Sequence, residues 1–143
     1  MKKLILPYII VLVLFLLIDL PIILYFNKPI YDKQFNRINK CSNNEISNLQ
    51  VYSSAIIAYL LLALGIYIFI IRPEMNTYKQ DYLNIIIQGM ILGLVVYGVY
   101  NGTNMATIKE WGVKEFIIDT VWGTILSGTI AGSSVYIVRY FDL

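Results

Sequence analysis

The sequence predicts an all-α fold, a four-helix transmembrane bundle, on three observations. Of the 143 residues, 58% are hydrophobic and only 14% charged, against roughly 25% charged in an ordinary soluble domain. Mean hydropathy is +0.67. The apolar residues are gathered into four continuous runs near the roughly 20 helical residues that cross a hydrocarbon core of about 30 Å. Continuous runs exclude a β-barrel, whose strands alternate. Four such runs leave almost no water-facing surface, which excludes a bundle of soluble helices. The chain therefore reads as one multi-pass membrane domain, residues 1–143, with membrane lipids around it.

The first span covers about 4–26. It follows Lys2 and Lys3 and is interrupted only by Pro7, Asp19 and Pro21. It is longer than a signal-peptide core and no small-x-small cleavage site follows, so it reads as a retained helix. Pro21 removes a backbone donor and is expected to kink the helix and free a carbonyl. The second span covers about 51–71, the third, shorter and richer in glycine, 83–100, and the fourth and most polar 116–138. The long 27–50 connection is expected to hold a short interfacial helix over 29–38. An irregular stretch, NKCSNNEISN, follows and caps the second span. Residues 101–115 read as the third link, with Asn-Gly at 101–102.

Charge does not settle orientation. Lys2, Lys3, Arg72, Lys79 and Arg139 fall on the side of the termini, and Lys28, Lys33, Arg37, Lys40, Lys109 and Lys114 on the other, which gives no usable bias. The absence of histidine and the single Cys41 exclude a disulfide framework and a histidine-ligated metal, and no cofactor is implied. There is no phosphate loop or serine triad, and the cations are too dispersed for nucleic acid. Asn101-Gly-Thr103 matches a glycosylation acceptor but lies too near a membrane boundary to serve as one.

Topology supports one sharper expectation. Asp19 lies late in the first span, and Tyr52, Ser53 and Ser54 open the second. Tyr97, Tyr100, Asn101, Thr103 and Asn104 close the third, and Asp119, Thr120 and Trp122 lie early in the fourth. In an up-down-up-down arrangement all of these approach one membrane face. At 1.5 Å per residue, Asp19 sits roughly 10 Å and Asp119 roughly 5 Å inside their helices. An intramembrane aspartate costs about 2.5–3.5 kcal/mol at a helix centre and so faces protein or water. Two readings stand side by side: a binding or conduction site, or hydrogen bonding that fixes the bundle. Tyr97, Tyr100, Asn101 and Asn104 would share one polar face if the third helix runs on. Gly89-xxx-Gly93 and Gly123-xxx-Ser127-xxx-Ala131 are small-residue stripes that let helices approach closely. Gln88 is expected to bond inside the bundle.

The segment from Val96 through Tyr97, Gly98, Tyr100, Thr103, Asn104, Ala106, Thr107 and Trp111, with Asp119, Trp122 and Gly123 beyond it, resembles the DUF2177 family of small predicted membrane proteins. Asp19 and Pro73 also look like that family. The resemblance implies four spans over nearly the whole chain and no particular activity. Asn101 stands where the family usually has aspartate, Gly102 where it has leucine, and Ile22 where a tryptophan often follows the first-span aspartate. A scheme that needs three carboxylates is therefore not supported.

The expected function is binding or translocation of a small polar solute, ion or lipid headgroup through an intramembrane polar cavity. Asp19 and Asp119 would hold charge or protons, Tyr97, Tyr100, Asn101, Thr103 and Asn104 would supply hydrogen bonds, and Trp122 would wall the site. A chain this small is open to homo-oligomerisation. A structural or assembly role and a lipid-directed membrane enzyme are the alternatives, and no catalytic residue is assigned.

Overall fold

The computed structural model describes residues 2–26, 28–29, 32–33, 36, 38, 47–77 and 81–142. Of the interfacial helix expected over 29–38, residues 29, 32, 33, 36 and 38 are described and are helical; the other five positions and Cys41 lie outside the described residues. Four helices are long and apolar enough to cross a membrane, over Ile5–Tyr25, Asn48–Glu74, Tyr82–Thr107 and Val113–Tyr140. The protein is an all-α, multi-pass integral membrane protein.

Helix α1 runs over Lys2–Pro21 and passes directly into a π-helical turn, Ile22–Phe26. The change falls at Pro21, which has no N–H for the regular ladder and whose ring crowds the preceding turn. Helix α2 covers Asn48–Ile66, and Ser47 caps its start by accepting from the Gln50 N–H at 3.2 Å. It also ends in a π turn, Tyr67–Ile71, followed by Arg72–Glu74. Asp81 caps α3, Tyr82–Thr107, in the same way through Asn84. Helix α4 covers Val113–Tyr140.

The third helix runs past Asn101–Gly102, which reads as link in sequence. Local polar side chains turn back onto its backbone, which gives them partners inside the helix. Asn101 donates to the Tyr97 carbonyl at 2.9 Å, and Thr107 to the Thr103 carbonyl at 2.8 Å. The buried Asn101 cannot be reached by a glycosylating enzyme.

Helix α4 is the centre of the assembly. Its best membrane-spanning window is 56% buried, against 17–28% in the other three, and has the lowest hydropathy. Its inner side is enclosed by protein, where Thr120, Ser127 and Ser134 are buried, while the exposed Thr129 donates its hydroxyl to the Ile125 carbonyl at 2.9 Å. Helices α1 and α3 both pack on α4, and α2 packs on α1, while substantial contact between the second and third spans is confined to the π turn at 67–71. The described helices therefore form an open arrangement rather than a closed ring.

The α3–α4 seam is built on the small-residue stripes. A side chain on Gly93 would meet Ser127 Oγ at 2.6 Å, and one on Gly89 would meet the Ser127 carbonyl at 2.7 Å. Only glycine lets the two backbones come this close. Gln88, expected to bond inside the bundle, is instead exposed, one turn before Leu92, which approaches Gly65 of the second span. The buried side of α3 is taken by Ile85, Gly89 and Gly93, and helical periodicity places position 88 off that stripe. At the far end of α4, Arg139 Nη2 donates to the carbonyls of Glu74 and Thr77. It thereby satisfies carbonyls that the end of the second span leaves open.

Candidate functional site: a two-tiered polar cluster

Asp19 is the deeper tier. It is only 4% exposed on α1. Its Oδ2 accepts from the Tyr59 hydroxyl of α2 at 2.8 Å, and its Oδ1 from Trp122 Nε1 of α4 at 2.7 Å. One carboxylate thus joins three helices. Phe15, one turn earlier on α1, packs against the Tyr59 ring with centroids 6.4 Å apart. Tyr8 does the same work further along, donating to the Leu60 carbonyl at 3.2 Å. These contacts fix the rotation of α1 against α2, and hence the direction in which Asp19 points.

Asp119 is the shallower tier. Its Oδ2 accepts from Asn101 Nδ2 at 2.6 Å, a short bond that crosses from α4 to α3. The Asn101 side-chain Oδ1 in turn accepts from Trp111 Nε1 at 3.3 Å. Trp111 lies in the link between α3 and α4 and meets the Tyr100 ring edge-on, with centroids 5.8 Å apart. Asn101 has no exposure at all and uses both ends of its amide.

Tyr97 stands between the tiers. Both aspartates act electrostatically on its phenol, and Asp119 acts on Asp19 as well. Its ring lies flat against the α4 backbone at Gly123, where any side chain would overlap it. Asp119, Trp122 and Gly123 share one face of α4 because three and four residues are close to one helical turn. The cluster therefore descends from Trp111 at the membrane boundary through Asn101 and Asp119 to Tyr97, and on to Asp19, Tyr59 and Trp122.

Of the residues singled out in the sequence, Asp19, Tyr97, Asn101, Asp119 and Trp122 come together here. Tyr100 stands at the edge, half exposed, with Asn104 within hydrogen-bonding reach. Thr103 does not join them. It is exposed, and its hydroxyl donates to the Val99 and Tyr100 carbonyls of its own helix at 2.8 and 3.0 Å. Tyr52, Ser53 and Ser54 are also outward-facing, and Ser53 bonds back to the Gln50 carbonyl. The second span contributes Tyr59 instead, two helical turns deeper.

Tyr59 is not among the residues singled out in the sequence, and Trp111 enters there with the family resemblance. The signal for Tyr59 is a tyrosine inside an otherwise aliphatic run. A third carboxylate, Glu115, is buried one turn before Asp119. Among the described residues no group of three or more acidic, cysteine or histidine side chains is placed to hold a metal ion.

No curated relative and no solved structure matches the chain. A family model described as a predicted membrane protein, DUF2177, matches residues 4–136, which reaches into all four spans and takes in both tiers of the cluster. The chain belongs to the DUF2177 family of membrane proteins.

Proposed function

We propose that the cluster recognises a small polar group inside the membrane, with a cation as the favoured charge, carried by an ion, a solute or a lipid headgroup. One observation carries the reading. Two carboxylates from opposite ends of the chain lie in a cluster walled by Tyr59, Tyr97, Tyr100, Trp111 and Trp122, on the side where the second and third spans do not pack together. Carboxylates attract a cation, and each ring face adds about 0.5–2 kcal/mol once the cation is desolvated. The described donors to Asp19 are neutral, so its charge is not cancelled by a basic residue.

The chain has only two tryptophans, and each donates into one tier. Their fluorescence therefore reports on the cluster directly. Titration of the protein in lipid nanodiscs with choline or ethanolamine is expected to give a saturable change in emission, reduced in Asp19→Asn and Asp119→Asn. Flux of the same compounds into proteoliposomes then distinguishes binding from translocation. A flat titration in the wild type, or one unchanged in both folded variants, would remove the proposed role.

A structural role has its own supporting observation: both oxygens of Asp19 are already taken. On that reading Asp19→Asn lowers thermal stability and the wild type responds to neither compound. Self-association would use the exposed Gln88 of α3, which offers an amide to a second copy.

A further inference from the structure

A second site lies at the opposite membrane face, between the start of α1 and the end of α2. A groove of about 390 Å³ is lined there by Ile5, Tyr8, Leu64, Tyr67 and Arg72. We infer that it binds a membrane lipid by its phosphate, with Arg72 and the Tyr67 hydroxyl holding the phosphate oxygens and Ile5 and Leu64 flanking the acyl chain.

The first support is charge. Arg72 ends the second span and is exposed, and among the described residues its guanidinium has no carboxylate or hydrogen-bonding partner. Arg139, at the same end of the bundle, is by contrast committed to the Glu74 and Thr77 carbonyls. An uncommitted guanidinium on an apolar wall suits an anion that carries a hydrocarbon tail, and its planar fork matches two phosphate oxygens. Basic pockets between transmembrane helices hold phosphate headgroups for this reason.

The second support is backbone geometry. In a regular α-helix, residues five apart lie about 140° apart around the axis. The π turn changes that here. The Arg72 N–H bonds to the Tyr67 carbonyl, and the wider turn brings the two side chains close to one face. Without it, Arg72 would point away from Tyr67.

The third support is the tyrosine pair. Tyr8 and Tyr67 meet edge-on with centroids 6.1 Å apart. Tyr8 spends its hydroxyl on the Leu60 carbonyl. Tyr67 is nine-tenths buried, yet its hydroxyl makes no hydrogen bond among the described residues. It is the donor left available to a ligand in the groove.

The test is native mass spectrometry of the full chain released from nanodiscs of phosphatidylglycerol and phosphatidylcholine. The wild type is expected to retain one phospholipid. Arg72→Gln should weaken retention about tenfold and Tyr67→Phe by less, since a charge-assisted bond is roughly twice as strong as a neutral one. Lys114→Gln, at the other face, should have no effect. Tyr67→Phe removes a single oxygen and keeps the ring, so it reads the site even if Arg72→Gln disturbs the helix end. Retention unchanged in both folded variants would overturn the inference. Displacement of the lipid by inorganic phosphate alone would also overturn it, because the site would then take free phosphate. The outcome is independent of the aspartate cluster, which lies at the other end of the helices.

Discussion

Asp19 and Asp119 are the same residue type in the same half of the membrane, but they are held differently. Asp19 is bound by residues 40 and 103 positions away, on two other helices. Asp119 is bound by Asn101, 18 positions away, on the helix joined to its own by a short link. The α3–α4 hairpin can form the second contact by itself. The first exists only when α1, α2 and α4 have all come together. The two hydrogen bonds of Asp19 therefore depend on three helices, whereas the Asn101–Asp119 bond depends on one hairpin.

The comparison breaks if the two aspartates cost the same to remove. Asp19→Leu strands the Tyr59 hydroxyl and the Trp122 N–H away from water, and is expected to lower stability in mild detergent by about 2–4 kcal/mol. Asp119→Leu should cost about half of that. Equal losses in denaturant or SDS unfolding would mean that the hairpin and the bundle are not separable units.

Gly123→Val tests the hairpin from its packing side. The new side chain would occupy the space of the Tyr97 ring, so a loss of about 1–3 kcal/mol is expected. Gly102→Ala is the matched control. Nothing lies within 4 Å of the position its side chain would take, and its thermal midpoint should not fall.

The tryptophans sharpen the contrast further. Trp122→Phe loses a 2.7 Å bond to a carboxylate and should cost about 1–2 kcal/mol, while Trp111→Phe loses a 3.3 Å bond to an amide and should cost under about 1 kcal/mol. A double-mutant cycle between Asp19 and Trp122 should show coupling that a cycle between Asp19 and Trp111 lacks. The smallest effect is expected at Gln88. Gln88→Leu should leave folding intact and weaken self-association, measured by energy transfer between labelled copies in bilayers, by about threefold, the value of an interhelical bond near 0.6 kcal/mol.

The four spans, their membrane character and the close-packing stripes of α3 and α4 were legible in the sequence, because length, hydropathy and small-residue spacing act locally along a helix. So was the grouping of Asp19, Tyr97, Asn101, Asp119 and Trp122, since alternating spans bring those stretches to the same half of the membrane. Rotation about each helix axis was not legible. Tyr59 rather than Tyr52 faces Asp19, Thr103 turns back on its own helix, and Gln88 is exposed. A helix almost uniformly apolar around its circumference carries no periodic signal of which face meets protein, since lipid and a protein interior are equally apolar. That choice fell to close contacts: the glycine seam, the ring of Tyr97 on Gly123, and the two hydrogen bonds that Asp19 accepts from Tyr59 of α2 and Trp122 of α4.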